Sequence, residues 1–114
     1  MSAPQPTELR LEKSQRVLVI DYDDGAHFEL SCYYLRTHSP SAEVRGHGLS
    51  EPKVLPGKET VNIERIEPVG NYAVTLIFDD GHKTGIYSWS FLYELGVNMD
   101  ANMEKYRHRL AQQS

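Results

Sequence analysis

The sequence predicts an α+β fold: a small, mainly antiparallel sheet built from two related hairpin-plus-short-helix units, with a C-terminal helix. Three observations predict it. Asp23-Asp24-Gly25 recurs as Asp79-Asp80-Gly81. The runs before these tripeptides match, with Leu18, Ile20 and Tyr22 answering Val74, Leu76 and Phe78. Alternate apolar positions have the period of a strand with one buried face. After each tripeptide a further run leads to a serine, Ser31 or Ser88, and then to Leu35 or Leu92.

Taken in order, residues 1–7 are polar and proline-containing and are expected to be disordered. Thr7 to Glu12 carries Leu9 and Leu11 among polar neighbours and reads as a short strand. Lys13-Ser14-Gln15 turns the chain into the strand Arg16–Tyr22. Asp-Gly tolerates positive φ and marks a tight hairpin. Ser31 is placed to cap a short helix. The stretch 37–59 holds Pro40, Pro52, Pro56, Gly46, Gly48 and Gly57. It reads as a long loop, and loops of that length are usually functional or mobile. Val61 to Ile66 is strand-like again, and Pro68-Val69-Gly70-Asn71 turns into the second unit. That unit carries one extra residue after its turn. Ser88 caps its helix and Gly96 is expected to end it. Asp100 is expected to cap a last helix, about 100–112, with Met103, Tyr106 and Leu110 on one face. Lys105, Arg107 and Arg109 lie towards its end, where they suit the helix dipole.

A chain of 114 residues is read as a single domain over 8–114, burying roughly two-thirds of its unfolded surface. The net charge of −4 argues against a general nucleic-acid surface, which needs a basic stripe. Cys32 is the single cysteine, so there is neither an intramolecular disulfide nor a cysteine-only metal site. Met1 to Thr7 has no apolar run, so neither a secretory signal nor a membrane span is expected, and the location expected is cytoplasmic.

Ile66-Glu67-Pro68-Val69-Gly70-Asn71-Tyr72-Ala73, then Phe78-Asp79-Asp80-Gly81-His82, then Thr84-Gly85-Ile86-Tyr87-Ser88-Trp89 resemble the small N-terminal domain of gamma-butyrobetaine hydroxylases. The likeness covers roughly residues 8–96. Ser39 to Gly48 is similar to the stand-alone bacterial branch of that family, whose function is unassigned. In the hydroxylases the domain precedes a separate iron- and 2-oxoglutarate-dependent catalytic domain, for which 114 residues have no room. A similar domain is appended to a chloroplast P-loop ATPase that scaffolds iron–sulfur clusters. The resemblance therefore implies an accessory role near iron or iron–sulfur chemistry. It also implies a structural zinc site made of three cysteines and a histidine. The matching positions here are Ser39, Ser41, Val44 and His82, of which only His82 is a ligand of that set, so the zinc site is not expected.

Other candidate chemistry is thin. His38 and His47 flank the loop's Ser39–Val44 segment. If the loop folds back on the second hairpin, His82 would join them, with Glu43 or Asp80, as a labile iron or zinc site. Asp23-Asp24 and Asp79-Asp80 are acidic pairs, but hairpin tips are solvated and aspartate belongs there for backbone reasons. Cys32 lies within reach of His38, yet it aligns with Trp89 at a position expected to be core. Most of the aromatic residues are expected to pack inward, with Tyr87 and Tyr93 at the rim. Arg45, Gly46, His47 and Gly48 form the favoured contact surface. Glycines allow close approach of a partner, and Arg45 offers a fork for carboxylate or phosphate.

The expectation is a non-enzymatic binding or adapter module with protein partners in iron-dependent or iron–sulfur pathways. It would use loop 37–59, the hairpin at His82 and the rim residue Tyr87. The alternative is a small iron- or zinc-binding protein using His38, His47 and His82. A small hydrolase or isomerase is a third reading. No firm cofactor, membrane contact or nucleic-acid partner is expected, and the oligomeric state is left open.

Overall fold

The structure is a computed structural model that describes residues 3–41, 54–55 and 57–112. Its elements are β1 (Pro6–Glu12), β2 (Val17–Tyr22), β3 (His27–Ser31), α1 (Cys32–Thr37), β4 (Ile63–Val69), β5 (Ala73–Phe78), β6 (Ile86–Ser88), α2 (Trp89–Val97) and α3 (Met99–Gln112). The strands form two antiparallel three-stranded sheets, ordered β1-β2-β3 and β4-β5-β6. Hairpin turns and short helices follow from the alternation and capping read above, and the fold is α+β.

The two units share many backbone bonds. Val17 pairs with Ser31 in one sheet, and Ala73 pairs with Ser88 in the other. In both turns the residue before Asp-Asp donates to the carbonyl one residue past the glycine: Tyr22 to Ala26, and Phe78 to His82. Gly25 and Gly81 take φ of 90° and 93°, which an L side chain rarely adopts. Ser31 accepts the Tyr34 N–H and Ser88 the Phe91 N–H, so both serines cap as expected. The correspondence also reaches the outer strands. A register shift interrupts β1 between Pro6 and Glu8, and one interrupts β4 between Ile63 and Arg65. Gln5 and Asp23 exchange bonds just as Asn62 and Asp79 do.

Both sheets bury their alternate apolar residues in one core. Leu18, Ile20, Tyr22 and Leu30 meet Ile63, Val74, Leu76 and Phe78 there, with Leu35 and Leu92 from the helices. A single core shared by two hairpins answers the marginal stability of either alone. Tyrosine hydroxyls tie the units across it. Tyr22 donates to the Trp89 carbonyl at 2.7 Å, and Tyr34 to the Leu95 carbonyl at 2.6 Å. Buried tyrosines need such partners.

Three expectations change. β1 begins at Pro6, inside the stretch expected to be disordered, because Asp23 accepts the Gln5 N–H and Thr7 Oγ1 donates to the Asp21 carbonyl. Gly96 does not end its helix. α2 runs on to Val97 with Asn98 as its C-cap, and Gly96 is needed because the Phe28 ring lies where its Cβ would be. Asp100 lies within the first turn of α3 rather than capping it. On that helix Tyr106 is fully buried, while Met103 and Leu110 are half-buried.

Candidate functional site

The sequence places an extra residue after the second turn, and the structure shows what it does. β3 starts two residues after Gly25, at His27, but β6 starts five residues after Gly81, at Ile86. Lys83, Thr84 and Gly85 leave the sheet, and the residues that follow α1 enter beside them. Ser39 Oγ and His82 Nε2 share a hydrogen bond of 3.0 Å. The Ser41 N–H donates to Ser39 Oγ at 3.2 Å, and the Ser41 and Thr84 hydroxyls lie 2.6 Å apart. Ser39, Ser41 and His82 are all buried. Gly85 is required here, because a Cβ would collide with Ser39 Oγ.

A charged cluster adjoins this polar seam. Asp80 Oδ2 accepts from Arg36 Nε and from Lys58 Nζ, each at 2.8 Å. Asp80 Oδ1 accepts the His82 N–H at 3.1 Å. Burial alone would push the Asp80 carboxyl up. The hydrogen bonds from Lys58, from the His82 backbone and from Arg36 outweigh it and hold the group down at about 2. Asp80 is exposed as a residue, as expected of a hairpin tip, but its carboxylate is paired rather than free. Its shift runs away from that of a general acid. The cluster joins α1, the second turn and the far stem of loop 37–59. Leu55 on that far stem is gripped by Tyr106, whose hydroxyl accepts the Leu55 N–H at 2.7 Å and lies 3.2 Å from its carbonyl.

The positions matching the family's zinc ligands are therefore brought together in part. Ser39, Ser41 and His82 converge, and their polar atoms bond one another; Val44 lies outside the described residues. His38 is buried, with Nδ1 3.0 Å from Thr37 Oγ1 and 3.2 Å from the Tyr34 carbonyl. Its ring packs on Tyr34 and Tyr106 at 4.7 and 5.4 Å between centroids. Arg45, Gly46, His47 and Gly48 lie outside the described residues. Among the described residues, no three of His, Cys, Asp or Glu group so as to hold a metal ion.

Tyr87 is not a rim residue. It is fully buried, and its hydroxyl donates to the Leu35 carbonyl at 2.6 Å. β6 alternates Ile86 outward and Tyr87 inward, and a strand of three residues is too short for the sequence pattern to show this. Tyr93 does reach the surface, where it donates to Asp24 at 2.6 Å. Cys32 is buried, and burial raises its thiol pKa, the state of an inert cysteine. Thr84, Arg36 and Lys58 were not legible as site residues. For Thr84 the one signal was the extra residue after Gly81, which marks where the two units differ.

The geometry sits in a chain with clear relatives. The family model described as gamma-butyrobetaine hydroxylase-like, N-terminal, matches residues 9–93. One protein solved by NMR in solution is 49% identical, with a TM-score of 0.84 over 99% of this chain and 85% of its own. A second NMR structure is 39% identical, with a TM-score of 0.82 over 96% and 86%. A crystal structure of a protein of unknown function in the DUF971 family, from Acidithiobacillus ferrooxidans, is 38% identical, with a TM-score of 0.71 over 83% and 98%. No match was found among the curated proteins. On the breadth of the family match and these identities, the chain belongs to the gamma-butyrobetaine hydroxylase-like, N-terminal family.

Proposed function

We propose that the chain is a non-enzymatic binding module whose contact surface for a protein partner is the stretch 37–59 with the hairpin at His82. One observation carries the reading. Both stems of that segment are fixed to the fold: Ser39 and Ser41 to His82 and Thr84 on one side, and Leu55 to Tyr106 and Lys58 to Asp80 on the other. A loop set on rigid stems is the usual way a scaffold displays binding residues. The family is named for gamma-butyrobetaine hydroxylases, and the resemblance noted in the sequence implies a place beside iron-dependent catalysis. Partners in iron-dependent or iron–sulfur pathways, in the cytoplasm, are accordingly part of the reading. No helix among the described residues is long and apolar enough to cross a membrane.

The test starts with anaerobic purification under native conditions, metal analysis of the eluate and identification of cross-linked proteins. Each protein found is then purified and titrated against the wild type and against a variant with 42–53 replaced by a Gly-Ser segment of equal length. A saturable complex that the replacement abolishes is expected. Binding that survives the replacement, or no saturable complex with any protein, overturns the reading.

A further inference from the structure

The two units pack reciprocally, so each has a seam where the other's leading segment crosses it. In the first unit this seam is closed. The segment Thr60–Asn62 lies over it, and Arg16 Nε donates to the Thr60 carbonyl at 3.0 Å. Asn62 Nδ2 donates to the Lys13 carbonyl at 3.0 Å, and Cys32 Sγ lies 3.7 Å from Asn62 Oδ1.

The corresponding seam in the second unit is open. In backbone pairing Tyr72 corresponds to Arg16, since Cys32 N–H donates to the Arg16 carbonyl and Trp89 N–H to the Tyr72 carbonyl, although only Arg16 takes a positive φ, of 55°. Ala3 and Gln5 stand where Thr60 and Asn62 stand. Gln5 Nε2 turns back to its own neighbour, the Ala3 carbonyl, at 3.3 Å. Among the described residues no hydrogen bond links Ala3 or Gln5 to Asn71, Tyr72 or Trp89. What remains is a cleft of about 360 Å³ lined by Ala3, Gln5, Asn71, Tyr72, Trp89 and the serines that flank Trp89. Tyr72 is 56% exposed, and no charged side chain lines the cleft.

We infer that this cleft binds an arginine side chain of a partner protein. The closed seam displays the arrangement: a guanidinium donating to the carbonyl of the crossing segment. The open seam keeps that carbonyl, on Ala3, where the donor reaching it is the Gln5 side-chain amide at 3.3 Å, and Tyr72 supplies no guanidinium. In its place stands the exposed Tyr72 ring, whose face attracts a planar cation, beside Trp89, which packs on the core and donates its indole N–H to the Asn71 carbonyl at 3.0 Å. Tyrosine and tryptophan with serine and asparagine are also the side chains that make rigid contact with adaptable hydrogen bonding at binding surfaces. The chain's net charge of −4 favours a cationic partner. The cleft shares no residue with the stretch 37–59 or the hairpin at His82, so this inference and the proposed function fail separately.

The test is a ¹H–¹⁵N NMR titration with the blocked peptide acetyl-Gly-Arg-Gly-amide, with the lysine analogue as control. Expected are saturable shifts of the Trp89 indole and of the Ala3 and Tyr72 amides. The arginine peptide should bind roughly threefold or more tightly than lysine, because only the guanidinium stacks as well as donates. Tyr72→Ala should abolish the shifts, and Tyr72→Phe should retain them. Equal response to lysine, shifts elsewhere only, or persistence in Tyr72→Ala overturns the inference.

Discussion

Asp80→Asn removes the charge on which Arg36 and Lys58 converge, and the structure sets both the size and the pH window of the effect. The folded carboxyl is held at about 2 against an ordinary 3.8. At roughly 1.4 kcal/mol per pH unit, that gap corresponds to about 2.5 kcal/mol of stability at neutral pH. The carboxylate side chain keeps 19% of its exposure and Lys58 keeps 27%, so solvent screening brings the figure to about 1–2 kcal/mol. The unfolded chain takes up its proton near 3.8, whereas the folded chain resists until about 2. The contribution is therefore complete above pH 4 and lost as pH falls through that interval. Urea unfolding followed by Trp89 fluorescence would measure it at pH 7, 4, 3 and 2.5. Other carboxylates titrate in the same range, so the informative quantity is the gap between wild type and variant. That gap should be about 1–2 kcal/mol at pH 7 and shrink steadily below pH 4. A gap that stays constant down to pH 2.5, or none at pH 7, would refute the electrostatic account of the cluster.

Three further outcomes are expected. Gly96→Ala should destabilise by roughly 1–3 kcal/mol through the clash with Phe28, although alanine is the better helix former by about 1 kcal/mol; a stabilised variant in urea unfolding would show that the Phe28 contact is unimportant. His27 bonds Asp21 at 2.5 Å and Glu29 at 3.2 Å, and these bonds raise its pKa, so its contribution to stability is present below the ordinary 6.5 and lost as pH rises through the folded value. An NMR titration of its ring should give a midpoint above 6.5 that falls in Asp21→Asn, and an unchanged midpoint would count against the pairing. Tyr106→Phe releases both backbone groups of Leu55, so its amide should exchange with solvent roughly tenfold faster, as loss of one net hydrogen bond implies, while protection in β2 and β5 stays unchanged.

Turns, inner strands and helix caps were legible because each depends on a few adjacent residues. Asp-Gly dictates a hairpin, and Ser31 and Ser88 cap whatever follows them. The kinship of β1 and β4 was not legible. Their side chains share little pattern, since Leu9 and Ile66 correspond, opposite Ile20 and Leu76, but Leu11 is answered by Pro68, and their other common features are a register shift and backbone bonds to Asp23 and Asp79. Of the site, His82 and the two serines were named from a resemblance, but their mutual bonding was not. Tyr87 misled because a hydroxyl before a capping serine looks exposed. Its Leu35 acceptor lies 52 residues away, a distance no local pattern spans.

Symmetry also locates the chemistry by where it breaks. A hairpin whose second strand stays paired from the turn onward leaves no entry for another segment, and the first unit is of this kind, with Asp21 facing His27 at once. The second unit withdraws Lys83–Gly85 from β5, and Ser39 and Ser41 occupy the space. Withdrawing a strand exposes backbone and polar side chains that must find partners or cost stability. Here the partners come from the stem of loop 37–59, so the cost of the irregularity is offset by fixing that stem. The same logic applies at the other departure, Tyr72 in place of Arg16. There Gln5 and Trp89 bond carbonyls on their own sides, of Ala3 and Asn71, no hydrogen bond among the described residues crosses the seam, and the Tyr72 ring is largely in solvent. One break is satisfied within the chain and positions a loop. The other is left unbridged among the described residues, and a partner's guanidinium is the group inferred to bridge it.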